Sequence, residues 1–393
     1  MTERGFKIPD LASLTEASRL VRNGRFGEAS ALIQRNLSNV SEGAEAARSG
    51  ITQADRHAAI LPERFREGLG QLFRGLRGPL AVKGLKGFEF HGLQPEPESH
   101  SDDRFVTRSF SNAAGARDYK LFIPTGHAGP RPLMVMLHGC TQSPDDFANG
   151  TRMNELAQQD GIYVAYPEQI RGANAQKCWN WFETRDQGRE HGEAGIIAGL
   201  TRAIIAEHAV DPSRVYIAGL SAGGAAAANI ARAYPDVFAG VGVHSGLAAG
   251  CARDLSSALM AMRAGAPGAE LPGGGSGFGA TQSIRVPTIV FHGSKDTTVN
   301  PRNGDEVLAQ AATANLSRSV ESGAQPGGHR YTRTLYRDFD GRVQAESWRV
   351  DGSGHAWSGG SATGSYTDPL GPDASRAMLD FFLQHRLGDN LQP

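Results

Sequence analysis

A mostly parallel, doubly wound α/β sheet is the fold class this sequence predicts, and three observations lead to it. From Arg104 onward, short β-type runs alternate with segments at helical spacing, as strands joined by helical crossovers do. The run Leu133-Met134-Val135-Met136-Leu137 is apolar at every position, as a central strand buried on both faces must be. Third, a strand at Arg214-Val215-Tyr216-Ile217-Ala218 enters an alanine-rich helix through the tight turn Gly219-Leu220-Ser221-Ala222-Gly223.

The elements follow in chain order. Residues 1–40 predict a helical hairpin, with Leu11, Leu14, Leu20 and Val21, then Phe26, Ile33 and Leu37, at helical spacing about a break at Asn23-Gly24. Such a pair either packs on the main domain or on a second copy, or anchors on a membrane or polymer surface. Residues 41–103 read as a linker rich in Gly, Ala, Ser, Glu and Pro. Within it, Glu63 to Lys86 is basic and apolar, with Arg64, Arg66, Arg74, Arg77, Lys83 and Lys86 set against Glu63 and Glu67. The main domain is expected over residues 104–388. It opens with strands at Phe105 to Phe110 and Tyr119 to Ile123, followed by the Leu133 strand and one at Ile162 to Ala165. Helices are expected at Asp145 to Gln159 and Gly195 to His208. Beyond the Ser221 turn come strands at Val241 to Val243, Thr288 to Phe291 and Ser347 to Val350, then a last helix from Asp373 to His385. Gly273-Gly274-Gly275 reads as a surface loop and not as a phosphate cradle.

A formal net charge of -1 over 393 residues recommends neither nucleic acid nor a strongly charged substrate. No apolar run reaches the length of a signal peptide core or a membrane span. The expectation is a soluble cytoplasmic protein, with non-classical export as the alternative. Cys140, Cys178 and Cys251 are too few and too scattered for a disulfide scaffold or a zinc site. One bridge is possible; a reducing compartment predicts free thiols unless a bridge is buried beside the active site.

The Gly219–Gly223 pentapeptide has the form of a nucleophile elbow, in which a serine on a strained strand-to-helix turn needs neighbours without bulk two residues either side. The same string arises by chance in a chain with 50 glycines, so the flanking strand and helix give it weight. A serine hydroxyl needs an imidazole base held by a carboxylate, and in α/β-hydrolases these follow in the order Ser, acid, His. Asp296 is the expected acid, in the loop after the Thr288 strand; Asp305, in a helix, and Asp351, close before the histidine, are its rivals. His355, on the glycine-rich turn Asp351-Gly352-Ser353-Gly354-His355, is the expected base, whereas His244 and His292 break the order and read as structural. The backbone N–H of Ala222 and that of Cys140, in Leu137-His138-Gly139-Cys140, are the expected oxyanion donors, with His138 shaping the loop. A cysteine nucleophile is the weaker alternative, since Cys140 has no elbow of its own. Trp179, Trp181, Phe182 and Trp357 flank this site in sequence and read either as a substrate groove or as core.

Four ordered motifs, Leu137-His138-Gly139-Cys140, Cys178-Trp179-Asn180-Trp181-Phe182, Gly219-Leu220-Ser221-Ala222-Gly223-Gly224 and Gly354-His355-Ala356-Trp357-Ser358-Gly359-Gly360, resemble the esterase family of poly(3-hydroxybutyrate) depolymerases, which also holds feruloyl and acetyl-xylan esterases. The resemblance spans roughly Phe105 to Leu387 and implies an α/β-hydrolase fold. It implies Ser221, Asp296 and His355 as the triad, and cleavage of short hydroxyalkanoate esters or their polymers with no metal or organic cofactor. Members of the family also tend to tie their cysteines near the active site, and the sequence leaves the pairing of Cys140 with Cys178 open. A feruloyl or other small-ester esterase is the alternative within the enzyme class. A granule- or membrane-surface protein contacting its surface through the N-terminal region is the alternative outside it.

Overall fold

The computed structural model describes residues 104–265, 284, 286–311 and 316–388. The expected N-terminal hairpin, the linker and the Gly273-Gly274-Gly275 loop lie outside them. In chain order the elements are β1 (Phe105–Asn112), β2 (Gly115–Phe122), β3 (Arg131–Leu137), α1 (Pro144–Thr151), α2 (Met153–Asp160), β4 (Tyr163–Pro167), α3 (Gly192–Glu207), β5 (Val210–Leu220) and α4 (Ala222–Ala233). There follow β6 (Gly240–His244), α5 (Leu255–Ala264), β7 (Thr288–Gly293), α6 (Arg302–Ala311), β8 (Ser317–Ala324), β9 (Arg330–Arg337), β10 (Val343–Val350), β11 (Trp357–Ser358), β12 (Thr367–Asp368) and α7 (Ala374–Phe382).

Ten strands form one sheet in the order β1-β2-β4-β3-β5-β6-β7-β10-β9-β8. The strands from β4 to β10 in that order run parallel, and antiparallel strands extend both edges. Alternation along the strands divides the core into two layers. Leu133, Val135 and Leu137 of β3 and Val215 and Ile217 of β5 face α3 and α4. Met134, Met136, Tyr216, Ala218 and Leu220 face α1, α2 and α7. The small side chains Ala225, Ala226, Ala227 and Ala228 let α4 lie close on the sheet, and all are buried. This is the doubly wound α/β-hydrolase architecture. Among the described residues no helix is long and apolar enough to cross a membrane.

Two departures from the sequence reading have local causes. The helix expected from Asp145 to Gln159 is two helices, α1 and α2, joined at Arg152 in the left-handed region (φ 55°). The Gly150 carbonyl, which a continuous helix would use internally, instead accepts from Ser361 N–H at 2.8 Å. There is no room for a side chain there, because a Cβ on Gly364 would lie 2.3 Å from Gly150 Cα. The second departure is the β8–β9 hairpin. β8 is exposed on both faces, so its sequence SRSVESGA carries no apolar alternation, and the ladder to β9 gives it its strand form.

Candidate active site

The Ser221 turn rises from the C-terminal end of β5, the strand between β3 and β6. Ser221 itself has φ 58° and ψ -120°, a conformation that a non-glycine residue adopts only under constraint. The constraint is visible on both sides. Ser221 N–H donates to the His244 carbonyl at 2.9 Å. A Cβ on Gly219 would sit 2.4 Å from the Gly223 carbonyl, and one on Gly223 would sit 2.1 Å from Leu137 O. The two glycines therefore allow the strand, the turn and β3 to meet. Ala222 opens α4, so its N–H is among those with no partner inside the helix.

Asp296 lies in the loop after β7, where its carboxylate is fully buried. Oδ1 accepts from Thr298 N–H at 2.9 Å and Val299 N–H at 2.8 Å. Oδ2 accepts from His355 Nδ1–H at 2.7 Å, and His292 Nε2 lies 3.4 Å away. Burial alone would raise this carboxyl's pKa, but the hydrogen bonds from His292 and His355 outweigh it and hold the group far below the usual carboxylate range. The acid loop is tied to the histidine loop by Ser294 N–H to Val350 O (2.8 Å) and Lys295 N–H to Ser353 O (2.9 Å). The rival acids are engaged elsewhere: Asp305 pairs with Arg349 at 3.0 Å, and Asp351 is an exposed turn residue.

The two rival histidines are structural neighbours of this pair. His292 Nε2–H donates to Val299 O at 2.9 Å. His244 is buried between Phe291 and Trp357, with ring centroids 5.6 and 4.9 Å away, and its Nε2 accepts from Ser358 N–H at 2.9 Å. Burial, then the nearby His292 and His355, push its pKa well below the ordinary value, so it is neutral.

The loop after β3 carries Cys140. His138 is buried, and its Nε2 accepts from Gln169 N–H at 3.1 Å. The ring proton therefore sits on Nδ1, which donates to Gly139 O at 2.7 Å. Burial lowers its pKa to about 4. Cys140 is bonded to Cys178, and Cys251 is free. The bridge borders the site cavity, which is the one circumstance under which the sequence reading expected a bond in place of free thiols. Behind the bridge stands Glu193, a residue the sequence reading missed. Its buried carboxylate accepts from Asn180 N–H at 2.7 Å, Asn180 Nδ2 at 2.9 Å and Gln169 Nε2 at 2.5 Å, fixing the segment that presents Cys178. A glutamate in the first turn of an apolar helix was the available signal.

One cavity of about 400 Å³ brings these groups together. Ser221, Ala222, Cys140 and His355 border it, and so do Leu220, Leu247, Leu255, Ala258, Leu259, Met262 and Val299. Among the described residues His355 and the Tyr366 phenol are the ionisable groups that line it. Of the tryptophans expected in a groove, Trp181 lines the cavity, joined by Phe182 at right angles to it (89°, 5.7 Å). Trp179 and Trp357 do not; both are core residues whose indole N–H groups find internal acceptors. Trp179 Nε1 donates to His138 O at 3.1 Å and Trp357 Nε1 to Ser375 Oγ at 3.0 Å. Large aromatics with a satisfied N–H bury readily, and here they support the loops carrying Cys140 and His355.

Comparison with known proteins agrees with this architecture. The family model described as Esterase PHB depolymerase matches residues 117–330, more than half of the chain, a span that contains Cys140, Ser221, Ala222 and Asp296 and stops before His355. Poly(3-hydroxyalkanoate) depolymerase C of Paucimonas lemoignei is 35% identical over 241 residues, covering 59% of this chain and 56% of that protein. Poly(3-hydroxybutyrate) depolymerase of Ralstonia pickettii is 27% identical over 340 residues, covering 81% and 68%. Feruloyl esterase B of Thermothelomyces thermophilus is 28% identical over 264 residues, covering 64% and 87%. The solved acetyl xylan esterase from Aspergillus awamori shares the fold, with a TM-score of 0.54 at 20% identity over 70% of this chain and 98% of that one. The match to the first of these depolymerases spans little more than half of that protein, and the family model covers more than half of this chain; the chain belongs to the Esterase PHB depolymerase family.

Proposed function

We propose that this protein is a serine carboxylic ester hydrolase acting on poly(3-hydroxybutyrate), its oligomers or short-chain hydroxyalkanoate esters. The observation that carries the reading is the strained Ser221 sharing one cavity with His355, whose far nitrogen donates to the buried Asp296 carboxylate. In this reading Ser221 attacks the ester carbonyl while His355 takes its proton and passes it to the leaving alcohol. Asp296 orients the imidazole and stabilises its charged form. The N–H groups of Cys140 and Ala222 hold the oxyanion, and water releases the acyl group from Ser221 by the same route. A wall on which, among the described residues, His355 alone is acidic or basic suits an uncharged ester chain. Leu255 and Leu259, partly exposed at the cavity, offer further apolar surface to a longer chain.

The perpendicular pair Trp181 and Phe182 on the same wall favours a second reading, an aryl or feruloyl-type esterase. Contact with a granule surface through residues 1–103 is a separate part of the proposal, tested by co-sedimentation of the full chain against one starting near Ser101. The Cys140–Cys178 bridge supports a working life in an oxidising compartment over the cytoplasm. The deciding experiment measures product release from amorphous poly(3-hydroxybutyrate) beside hydrolysis of a short-chain p-nitrophenyl ester, with wild type and Ser221→Ala. Serine-dependent activity on both supports the polyester reading. Activity on the soluble ester alone supports the small-ester reading, and equal rates for the two proteins would sink both.

A further inference from the structure

Gln142, two residues beyond Cys140, has no part in the proposed reaction, yet its side chain is buried and bonded at both ends. Oε1 accepts from Gly139 N–H at 2.8 Å. That bond settles the orientation of the amide, because a backbone N–H can only donate. Nε2 then faces Asp146 Oδ2 at 3.0 Å, Ser365 O at 3.1 Å and Ser365 Oγ at 3.2 Å. Asp146 grips the same serine: its Oδ1 accepts from Ser365 N–H at 2.8 Å and its Oδ2 from Ser365 Oγ–H. Ser365 precedes Tyr366, which lines the cavity and whose carbonyl accepts from Trp357 N–H at 2.7 Å, two residues past His355. One amide therefore joins the oxyanion loop to the segment that follows the catalytic histidine, across 223 positions of sequence.

The bond to Gly139 has a particular target. Gly139 N–H is held by Gln142 and Gly139 O by His138, so the residue is fixed on both sides. Gly139 O belongs to the same planar peptide as Cys140 N–H, and fixing the carbonyl fixes the direction of that N–H. Thr141, between Cys140 and Gln142, has φ 68°, an outlier for a β-branched residue that persists only where neighbours over-determine it. The Gln142 brace on one side and Thr141 N–H donating to Gln176 O at 2.7 Å on the other supply that constraint. A side chain at position 139 would crowd the arrangement, since its Cβ would lie 3.0 Å from Gln142 Oε1.

We infer that Gln142 is a positioning residue for ester hydrolysis, aiming the Cys140 N–H at the oxyanion and keeping it in register with the His355 loop. The inference rests on the serine-hydrolase reading above. Its test compares wild type, Gln142→Met and Ser365→Ala on a soluble p-nitrophenyl ester, together with inhibition by a trifluoromethyl ketone, which gives a tetrahedral adduct with a serine nucleophile. Gln142→Met keeps the length of the side chain without its polar atoms. It is expected to lower kcat by about 10- to 100-fold with KM within about twofold, and to weaken the ketone by the same factor. Ser365 is exposed, so Ser365→Ala folds regardless and is expected to show a smaller loss of kcat, of about threefold to tenfold, again at constant KM. A merely structural role would lower the amount of active protein without parallel losses in kcat and ketone affinity per active site. Unchanged kcat per site in Ser365→Ala, or a rise in KM with kcat and ketone binding intact in Gln142→Met, overturns the inference. Failure of the underlying reading shows separately, as wild-type hydrolysis that survives Ser221→Ala.

Discussion

His292 Nε2 lies 3.4 Å from Asp296 Oδ2, the oxygen that His355 Nδ1–H reaches at 2.7 Å, so one carboxylate oxygen faces two imidazoles. The Asp296 carboxyl is thereby held ionised, and the bond to it orients the His355 ring. Asp296→Asn leaves an oxygen for Thr298 and Val299 N–H but turns an amide N–H toward His355, which enforces the wrong tautomer. We expect kcat on a short-chain ester to fall by about 10³- to 10⁴-fold and stability by about 1–3 kcal/mol. Initial rates and denaturant unfolding check this; a loss of less than about tenfold would remove Asp296 from the triad.

Cys140 serves the proposed reaction through its amide, and the thiol serves the fold. Its bridge to Cys178 closes a sequence separation of 38 residues. The double variant Cys140→Ala, Cys178→Ala is expected to lose about 4 kcal/mol by the chain-entropy estimate. It should keep kcat within about tenfold of wild type, because the oxyanion donor survives. Guanidinium unfolding and steady-state rates decide the matter, and a folded double variant with no activity at all would assign chemistry to the sulfur.

Burial drives the His138 imidazole down to about 4, so the folded protein holds it neutral while the unfolded chain takes up a proton near pH ~6.5. Between these values the unfolded state binds more protons, and stability therefore rises with pH. The contribution is complete above about pH 6.5 and is lost as the pH falls toward 4, a change of about 3 kcal/mol. His138→Asn preserves a donor for Gly139 O without a titrating ring. Its unfolding free energy should decline less steeply than that of wild type from about pH 6.5 to 4.5. Identical slopes would assign the acid sensitivity to other groups.

Ala258 of α5 is buried and faces the cavity. Ala258→Phe fills that side, and kcat/KM for a p-nitrophenyl octanoate should fall about 10- to 100-fold relative to the acetate. A uniform loss across chain lengths would mean that α5 does not contact the acyl group.

Much of this molecule was legible in its sequence because its strongest constraints are local. The apolar run of β3 and the glycines either side of Ser221 each follow from burial or sterics acting over a few residues. The break at Arg152 was not legible, since its cause is a loop more than 200 residues away that takes the Gly150 carbonyl. β8 was missed because strand pairing alone defines it, and the groove roles of Trp179 and Trp357 failed because a motif's aromatic content does not say which way a ring points. Gln142 was invisible for a related reason, since it bonds to partners that only the fold brings near, and Glu193, though its place in an apolar helix marked it, gave no sign of which partners it holds.

Trp357 stacks on His244, whose carbonyl in turn receives Ser221 N–H, and the last helix closes this side of the sheet, with Tyr216 Oη–H donating to His385 O at 2.7 Å. In the proposed reaction the serine and the two amides that hold the oxyanion are synthesised well before the histidine that serves as base. Under that reading a chain cut off between Val350 and His355 carries the nucleophile without its base, and without the Trp357 and α7 side chains that pack this side of the sheet or the Tyr366 wall of the cavity, so it would be inert towards esters.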